Sequence, residues 1–526
     1  MKNKITLLLS LLCFIAHAQD PAIEWQTTIG GSASDVLNSM EPTADGGYIL
    51  AGYSSSNISG DKTENSNGAL DIWIVKISSS GVIQWQNTIG GAGDDFVNVV
   101  KQTSDGGYIV LAGSDSNISG DKTENSRGGL DYWILKLNAS GTIVWQRTYG
   151  GANPDFDTFG QETADGGYIV GGYSDSGATG DKTEPSNGQR DYWILKLDSL
   201  GAIVWQNAIG GSLVDRVQAT AQTFDGGYIV GGFSFSGISG DKTEANQGGS
   251  DYWIVKLSAT GSIEWQNTIG GSASDPLRDL IQTADGGYLA GGYSLSNISG
   301  EKTENSNGDF DYWLIKLNST GGIVWQNTIG GANTEFLRDL KQLADGSYLV
   351  AGYSNSNISG DKLETSNGGY DYWIVRVDTN GNITSQNSIG GATDESGPYI
   401  LPTGDGGFVM GCSSDSNISG DKTENSEGLE DYWIFKVSAA ILGVETNTIL
   451  NSLAVYPNPT TGILNIDNPQ GFEKLQVRIF NLLGQEVKAY EINSDNPQVE
   501  ITGNAGIYFV ELTTGTQKKA FKVIKQ

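Results

Sequence analysis

Two series of acidic side chains recur every 60 residues along this chain of 526. The first is Asp35, Asp95, Asp155, Asp215, Asp275, Glu335 and Glu395. The second is Asp61, Asp121, Asp181, Asp241, Glu301, Asp361 and Asp421. Clustered carboxylate oxygens are the donors that Ca²⁺ takes, and paired carboxylates drive glycoside hydrolysis. The spacing does not match a Ca²⁺-loop signature, so no cofactor or metal site is expected, Ca²⁺ being the one ion this donor set could hold. An active site needs a constellation that differs from its surroundings. Every acid here has copies at the same register, so no catalytic residue stands out.

Other chemistry is limited by what export removes. Residues 1–18 read as a signal peptide: Lys2 and Lys4, an apolar run from Ile5 to Ile15, then Ala16-His17-Ala18, with cleavage after Ala18. The only histidine, His17, and one of the two cysteines, Cys13, leave with it, and Cys412 remains alone. That excludes an intrachain disulfide, a zinc site of the His/Cys kind, and Ser-His-Asp or Cys-His machinery. The formal net charge of −30 disfavours nucleic acid and anionic membrane surfaces as partners. No other apolar run approaches the ~20 residues of a membrane-spanning helix.

The elements that position these acids are repeats. Trp25-Gln26 recurs at Trp85, Trp145, Trp205, Trp265 and Trp325, with Ser385-Gln386 a degenerate seventh copy. Asp45-Gly46-Gly47 recurs through Asp405-Gly406-Gly407, and Trp73 through Trp433. These two Trp sets account for all thirteen tryptophans, and a bulky residue at one register of every unit predicts core. In the second unit the pattern predicts strands at 96–102, 107–113, 131–137 and 142–149. Asp105-Gly106-Gly107 supplies a hairpin turn in which glycine takes φ > 0. Asn138-Ala139-Ser140-Gly141 supplies another. The third strand is apolar on both faces, as a strand between neighbouring sheets should be.

Four strands per unit, seven times, predicts an all-β chain: a seven-bladed β-propeller of 60-residue repeats followed by a small C-terminal β-sandwich. The repeat region begins on a fourth strand, Ile23-Glu24-Trp25-Gln26, and finishes on a third, Asp431 to Val437. Pairing the two would complete the last blade and remove the open edge. A long polar loop joins second to third strands, Ser114 to Leu130 in the second unit. Loops of that length are usually functional or disordered. On the propeller face where these loops emerge with the fourth-to-first connections, both acidic series should gather. The loop's last residue varies most: Leu70, Leu130, Arg190, Ser250, Phe310, Tyr370 and Glu430. Variable residues on a fixed frame suit a contact surface. The candidate binding residues are therefore the two acidic series with Arg190, Phe310 and Tyr370.

Composition changes after Val437. Residues 451–526 hold as many acidic as basic residues, so the acidity belongs to the repeats. The expected organisation is a signal peptide at 1–18, a propeller at 19–437, a linker at 438–453 and a C-terminal domain at 454–526. That domain carries Tyr456-Pro457-Asn458-Pro459-Thr460-Thr461-Gly462, Val477-Arg478-Ile479-Phe480-Asn481, Gly484-Gln485, Gly506-Ile507-Tyr508 and a Lys-rich end. In this order it resembles the type A C-terminal sorting domain of type IX secretion system cargo, the Por secretion family tail. The resemblance implies export through the periplasm and recognition by the type IX apparatus, with release or anchoring at the outer-membrane surface. The repeats more loosely resemble uncharacterised propellers that accompany such tags. The expected function is a secreted or surface binding or adhesion protein presenting its loops to a glycan or protein. The alternative is a carbohydrate-active enzyme, a glycoside hydrolase or lyase, using face carboxylates.

Overall fold

A computed structural model describes residues 23–438, 454–467, 475–481, 485–492, 498–514 and 517–526. Two compact units result, the repeats and the tail. Every regular element among the described residues is a β-strand.

The repeats build seven four-stranded antiparallel sheets. In the second blade the strands are Asp95–Gln102, Tyr108–Ser114, Asp131–Leu137 and Ile143–Tyr149, within a residue of the sequence expectation. The seventh sheet runs Glu395–Pro402, Phe408–Ser414, Asp431–Val437, Ile23–Ile29. Gln26 lies opposite Phe435 and Thr28 opposite Trp433, so the last blade takes its outer strand from the beginning of the described chain. Apolar side chains join each sheet to the next. Leu37, Leu50 and Trp73 of the first blade pack with Val409, Tyr432 and Ile434 of the seventh, and this contact closes the ring.

Why the third strand is apolar on both faces is now explicit: it faces a neighbouring sheet on each side. All seven residues of Asp131–Leu137 are buried. The Trp at this register is inaccessible in every blade, as expected of core. Tyr192 donates a hydrogen bond across the seam to the Trp253 carbonyl, at 3.1 Å. Tyr432 does the same to Trp73, also at 3.1 Å, tying the seventh blade to the first. The fourth-strand Trp is only half-buried and lies at the outer edge. The turn glycine of the next blade sits against it: a Cβ on Gly141, at φ +82°, would come within 2.7 Å of Trp85.

One lysine in each third strand, replaced by Arg376 in the sixth blade, is at first sight misplaced. Its Nζ reaches the Asp-Gly-Gly turn: Lys136 lies 2.9 Å from Asp105 and 3.0 Å from the Leu137 carbonyl. Asp105 also accepts from Thr103 Oγ1 at 2.6 Å and the Gly107 amide at 2.9 Å. Led by the Thr103 bond, these donors hold its carboxyl down to about 2. The turn motif is thus an anchor for a buried cation as well as a reversal of the chain.

The C-terminal unit has a three-stranded and a four-stranded antiparallel sheet. Leu464, Leu475, Val477, Ile479, Val499, Val510 and Leu512 form its core. Leu475, Val477 and Ile479 point inward and Gln476 outward, as the alternation predicts.

Candidate functional site

The first acidic series does not lie exposed on the loop face. Asp35, Asp95, Asp155, Asp215, Asp275 and Glu335 are 0% exposed and Glu395 1%. Each opens a first strand, except Asp275, which stands two residues before Leu277–Gln282, and at each an amide from the Gly-Gly connection and a serine hydroxyl converge. Asp95 Oδ2 accepts from the Gly91 amide at 2.6 Å and from Ser116 Oγ at 3.1 Å. A second buried series begins the third strands. Asp131 Oδ2 accepts from the Arg127 amide at 2.5 Å, and Asp71, Asp191, Asp251, Asp311, Asp371 and Asp431 occupy the same place. Acids of the two series meet across each seam, where, after burial, the charge of Asp155 raises Asp131 and that of Glu335 raises Asp311.

Burial pushes these carboxyls up, to about 7 at Asp131 and Asp251 and about 6 at Asp155 and Asp191. Between the two acids of one blade sits a buried lysine, such as Lys122, whose Nζ donates to Thr148 Oγ1 at 2.9 Å. Burial lowers Lys122 to about 8. The Gly-Gly pairs follow from this packing. A Cβ on Gly90 would stand 1.9 Å from Asp71 Oδ1, and one on Gly91 2.5 Å from Ser116. Gly90→Ala is accordingly expected to cost about 1–3 kcal/mol by overpacking. Urea denaturation of the variant would measure it; an unchanged midpoint would contradict the seam as described.

The second sequence series is half-buried and works as clamps. Asp121 accepts from the Gly90 amide at 3.2 Å and from Asn67 Nδ2 at 3.2 Å, joining two blades. Asp241, Asp361 and Asp421 repeat the arrangement. Glu301 accepts from Gly270 and Gln247, and Asp181 is paired with Arg127 at 3.0 Å. Asp61 accepts from Gly30 at 3.3 Å. The long loop is likewise not free. Gln146 Oε1 accepts from the Thr123 amide and from Trp133 Nε1, its Nε2 donates to the Asp121 carbonyl, and Glu124 accepts from the Thr148 amide. These bonds fold the loop back over the fourth strand. Frame amides thus hold one oxygen of each acid in both series, while Asp35, Asp95, Asp155, Asp215 and Glu395 keep a second oxygen that is buried without a hydrogen-bond partner. Among the described residues, no group of three or more His, Cys, Asp or Glu is arranged to hold a metal ion.

What remains for recognition is the variable position ending the loop. Its backbone does one fixed job, since the Leu70 carbonyl accepts from the Asp95 amide at 2.8 Å and the Glu430 carbonyl from Asp35 at 2.7 Å. The side chain has no part in that bond and is free to differ. Phe310 packs against Tyr293, ring centres 5.1 Å apart, and against Phe336 at 5.7 Å. Tyr370 lies 6.0 Å from Phe336 and 5.5 Å from Tyr353. Arg190 donates to Asp175 at 2.7 Å and lies 4.8 Å over the Phe156 ring. Ser250 and Glu430 place polar groups at the same register, on Ser274 and Ser396. At this register the fifth and sixth blades thus carry aromatic rings, the first and second leucine, and the third, fourth and seventh polar side chains.

Beneath the mouth, the first strands of all seven blades enclose a cavity of about 400 Å³. Its lining includes Ser39, Asn98, Gln218, Arg278, Arg338 and Tyr399. These residues escape a search for repeated chemistry, because the signal is the opposite: Asn38, Asn98, Thr158, Gln218, Arg278, Arg338 and Pro398 differ at one register. Asp279 and Asp339, on the cavity wall, accept from the Leu340 and Ile400 amides at 2.8 and 2.7 Å and so bridge innermost strands.

In the tail, Tyr456, Pro457, Asn458 and Pro459 are exposed and lead into a buried Thr460. Thr460 donates its amide to the Ile524 carbonyl at 2.9 Å, and Asn458 Oδ1 accepts from the Ile524 amide at 2.9 Å, so the motif docks on the final strand. Gly462 takes φ +127° beside Lys525, which donates to the Ile501 and Gly503 carbonyls at 2.8 and 2.7 Å. Gly506 opens a strand, and Tyr508 is buried, donating to the Asn504 carbonyl at 2.8 Å. Ala18, Gly484 and the linker at 439–453 lie outside the described residues.

Residues 454–526 match the secretion system C-terminal sorting domain. A curated relative, the regulatory protein FlaEY of Caulobacter vibrioides, is 20% identical over 481 residues, which cover 82% of this chain. The chain spans about half (49%) of that relative's length. Similar solved structures include the Pan2 WD40 domain of Neurospora crassa, at 11% identity and TM-score 0.40, covering 78% of this chain and 95% of that one. Another is PorZ, a surface component of the type IX secretion system of Porphyromonas gingivalis, at 11% identity and TM-score 0.26, covering 93% and 74%. The sorting domain makes the chain a type IX secretion cargo bound for the cell surface or the medium. No helix among the described residues is long and apolar enough to cross a membrane.

Proposed function

We propose that the propeller is an extracellular binding or adhesion module that engages a glycan or protein partner through the loop-face mouth of its channel. The observation that carries this reading is the break in symmetry there. The frame repeats its hydrogen bonds from blade to blade, while Arg190, Phe310 and Tyr370 differ at one register: Phe310 and Tyr370 join Tyr293, Phe336 and Tyr353, and Arg190 lies over Phe156. A binding site needs such a local departure from its surroundings, and aromatic rings with polar tips supply contact area at low entropic cost. Around this mouth the loop tips present Ile58, Ile118, Ile238, Ile298, Ile358 and Ile418, each more than 60% exposed. Repeated tips of this kind would add weak contacts whose linkage raises overall affinity.

A glycan array probed with the mature protein, beside a broad hydrolase screen, tests the reading. Tyr370→Ala with Phe336→Ala is expected to weaken the best array ligand about tenfold or more, each aromatic contact being worth about 1 kcal/mol. Turnover that a single Asp→Asn or Glu→Gln change abolishes would replace this reading with the enzymatic one.

A further inference from the structure

The cavity below the mouth differs in charge from the rest of the molecule. Consecutive blades place Arg216, Arg278 and Arg338 along the inner strands of a chain whose net charge is −30. Among the described residues, no ion pair involves any of the three. Other cations of the inner strands are paired, Lys341 with Asp339 and Lys101 with Glu41. The cavity-wall acids that could have neutralised the arginines are committed to backbone amides.

Both cavity arginines are held by neutral groups. Arg278 donates through Nε to the Tyr293 hydroxyl at 3.1 Å and through Nη1 to Gln218 at 3.2 Å, and stacks 5.0 Å from the Tyr293 ring. Arg338 hydrogen-bonds the Tyr399 hydroxyl. Tyr293 in turn packs 4.7 Å from Phe336, so the guanidinium of Arg278 lies directly behind the aromatic mouth. Arg216, two residues before the Gln218 that occupies the register of Arg278 and Arg338 in the fourth blade, lies 5.3 Å from the Tyr173 ring, with its buried Nε lacking a partner.

Guanidinium groups held without a counter-charge match carboxylate and sulfate oxygens, which they bind in forked pairs. A space of about 400 Å³ admits one or two sugar rings. We propose that Arg278 and Arg338 form an anion subsite that receives the carboxylate or sulfate of an extracellular saccharide whose ring rests on the Phe310, Phe336 and Tyr370 surface. This rests on the reading that the mouth is the binding site. A saccharide fits better than a peptide: a sugar acid places its anion on the same rigid ring as an apolar C–H face, so one residue reaches both features.

Isothermal titration of the mature protein tests it with digalacturonate, a 6-sulfated disaccharide, neutral cellobiose, and a tetrapeptide with a free C-terminus. Binding of either acidic sugar, weakened by salt and lowered about tenfold or more by Arg278→Gln or Arg338→Gln, is the expected result. Carboxylate against sulfate preference identifies which anion the fork holds. Arg338→Lys keeps the charge but loses the fork, and an intermediate affinity is expected should the Gln variant fold poorly. The proposal is overturned if cellobiose binds as tightly as the acidic sugars, if only the peptide binds, or if folded arginine variants bind unchanged. Neutral-sugar binding that needs Tyr370 but neither arginine would overturn the anion subsite and leave the mouth reading standing.

Discussion

The propeller is expected to melt on the order of 5–10 °C higher at pH 5 than at pH 8. Each seam buries two carboxylates, and burial raises the affected groups: to about 7 at Asp131 and Asp251, to about 6 at Asp155, Asp191 and Asp431, and upward at Asp35, Asp71, Asp95, Asp215 and Asp371. Across the sixth seam the carboxyls of Asp371 and Glu395 face each other, and burial drives both up. A carboxyl raised in the folded state holds more protons than its unfolded counterpart between about pH 4 and its folded value. Stability therefore falls as pH rises through about 4 to 7 and then levels. One pKa unit is about 1.36 kcal/mol. A net contribution near that size per seam, divided by an unfolding entropy of about 2.1 cal/mol/K per residue, gives the shift expected.

Two other sets bound this window. The turn acids Asp105, Asp165, Asp225 and Asp285 are held at about 2 by the turn's own donors together with a buried lysine, so their contribution is full above about pH 4 and lost below it. Lys122, Lys242 and Lys302 are lowered to about 8 by burial. Their charged forms are disfavoured below that value, and part of the lost stability returns above it. The optimum should lie near pH 5. Calorimetry at fixed ionic strength across pH 4–9 measures this. Asp251→Asn removes one titrating seam partner and should flatten the fall between pH 5 and 8. A melting temperature that stays level or rises from pH 5 to 8 would show that the seam acids are charged throughout.

Periodicity made the frame legible because one side-chain register serves one place in every blade. The third-strand Trp and Tyr had to be core, being apolar on both faces, and the split unit had to pair Ile23–Ile29 with Asp431–Val437 for its edge to be covered. The same periodicity misdirects where polar residues are concerned. Asp95 stands among Gly, Asp and Ser and reads as a solvated loop acid, yet the glycines let backbone amides converge on it, and the Ser116 hydroxyl completes its shell. Whether an acid is solvated or buried depends on donors from a loop some 20 residues away, and spacing alone does not bring them together. The cavity arginines lack even that signal. Arg278 and Arg338 occupy a register whose residue changes along the blades while the frame is kept, so their meaning appears only when the inner strands meet around one axis.

Deleting residues 454–526 is expected to abolish delivery to the surface or medium while leaving the propeller intact. The tail matches a sorting domain, and it is a folded unit with its own core of Leu464, Leu475, Val477, Ile479, Val510 and Leu512. The propeller draws nothing from it to complete a sheet: the seventh blade takes its fourth strand from Ile23–Ile29, and that ladder supplies the closing hydrogen bonds. Closing so long a ring costs little extra entropy, because loop-closure cost grows only with the logarithm of length. The truncated chain should therefore accumulate in the periplasm of a host with the type IX apparatus. Its melting temperature should match that of the propeller transition in the intact protein to within about 2 °C, since all seven sheets are complete without the tail. Fractionation with immunoblotting follows the first expectation and calorimetry the second. Arrival of the truncated chain at the surface would remove the sorting role. A propeller transition many degrees lower would mean that the tail contributes to the fold. A narrower variant separates the signal from the unit that carries it. Tyr456 to Pro459 are exposed, whereas Thr460 and Tyr508 are built into the tail's own structure. Replacing Tyr456 by Ala should impair export while the tail still folds, and Tyr508→Ala should impair both.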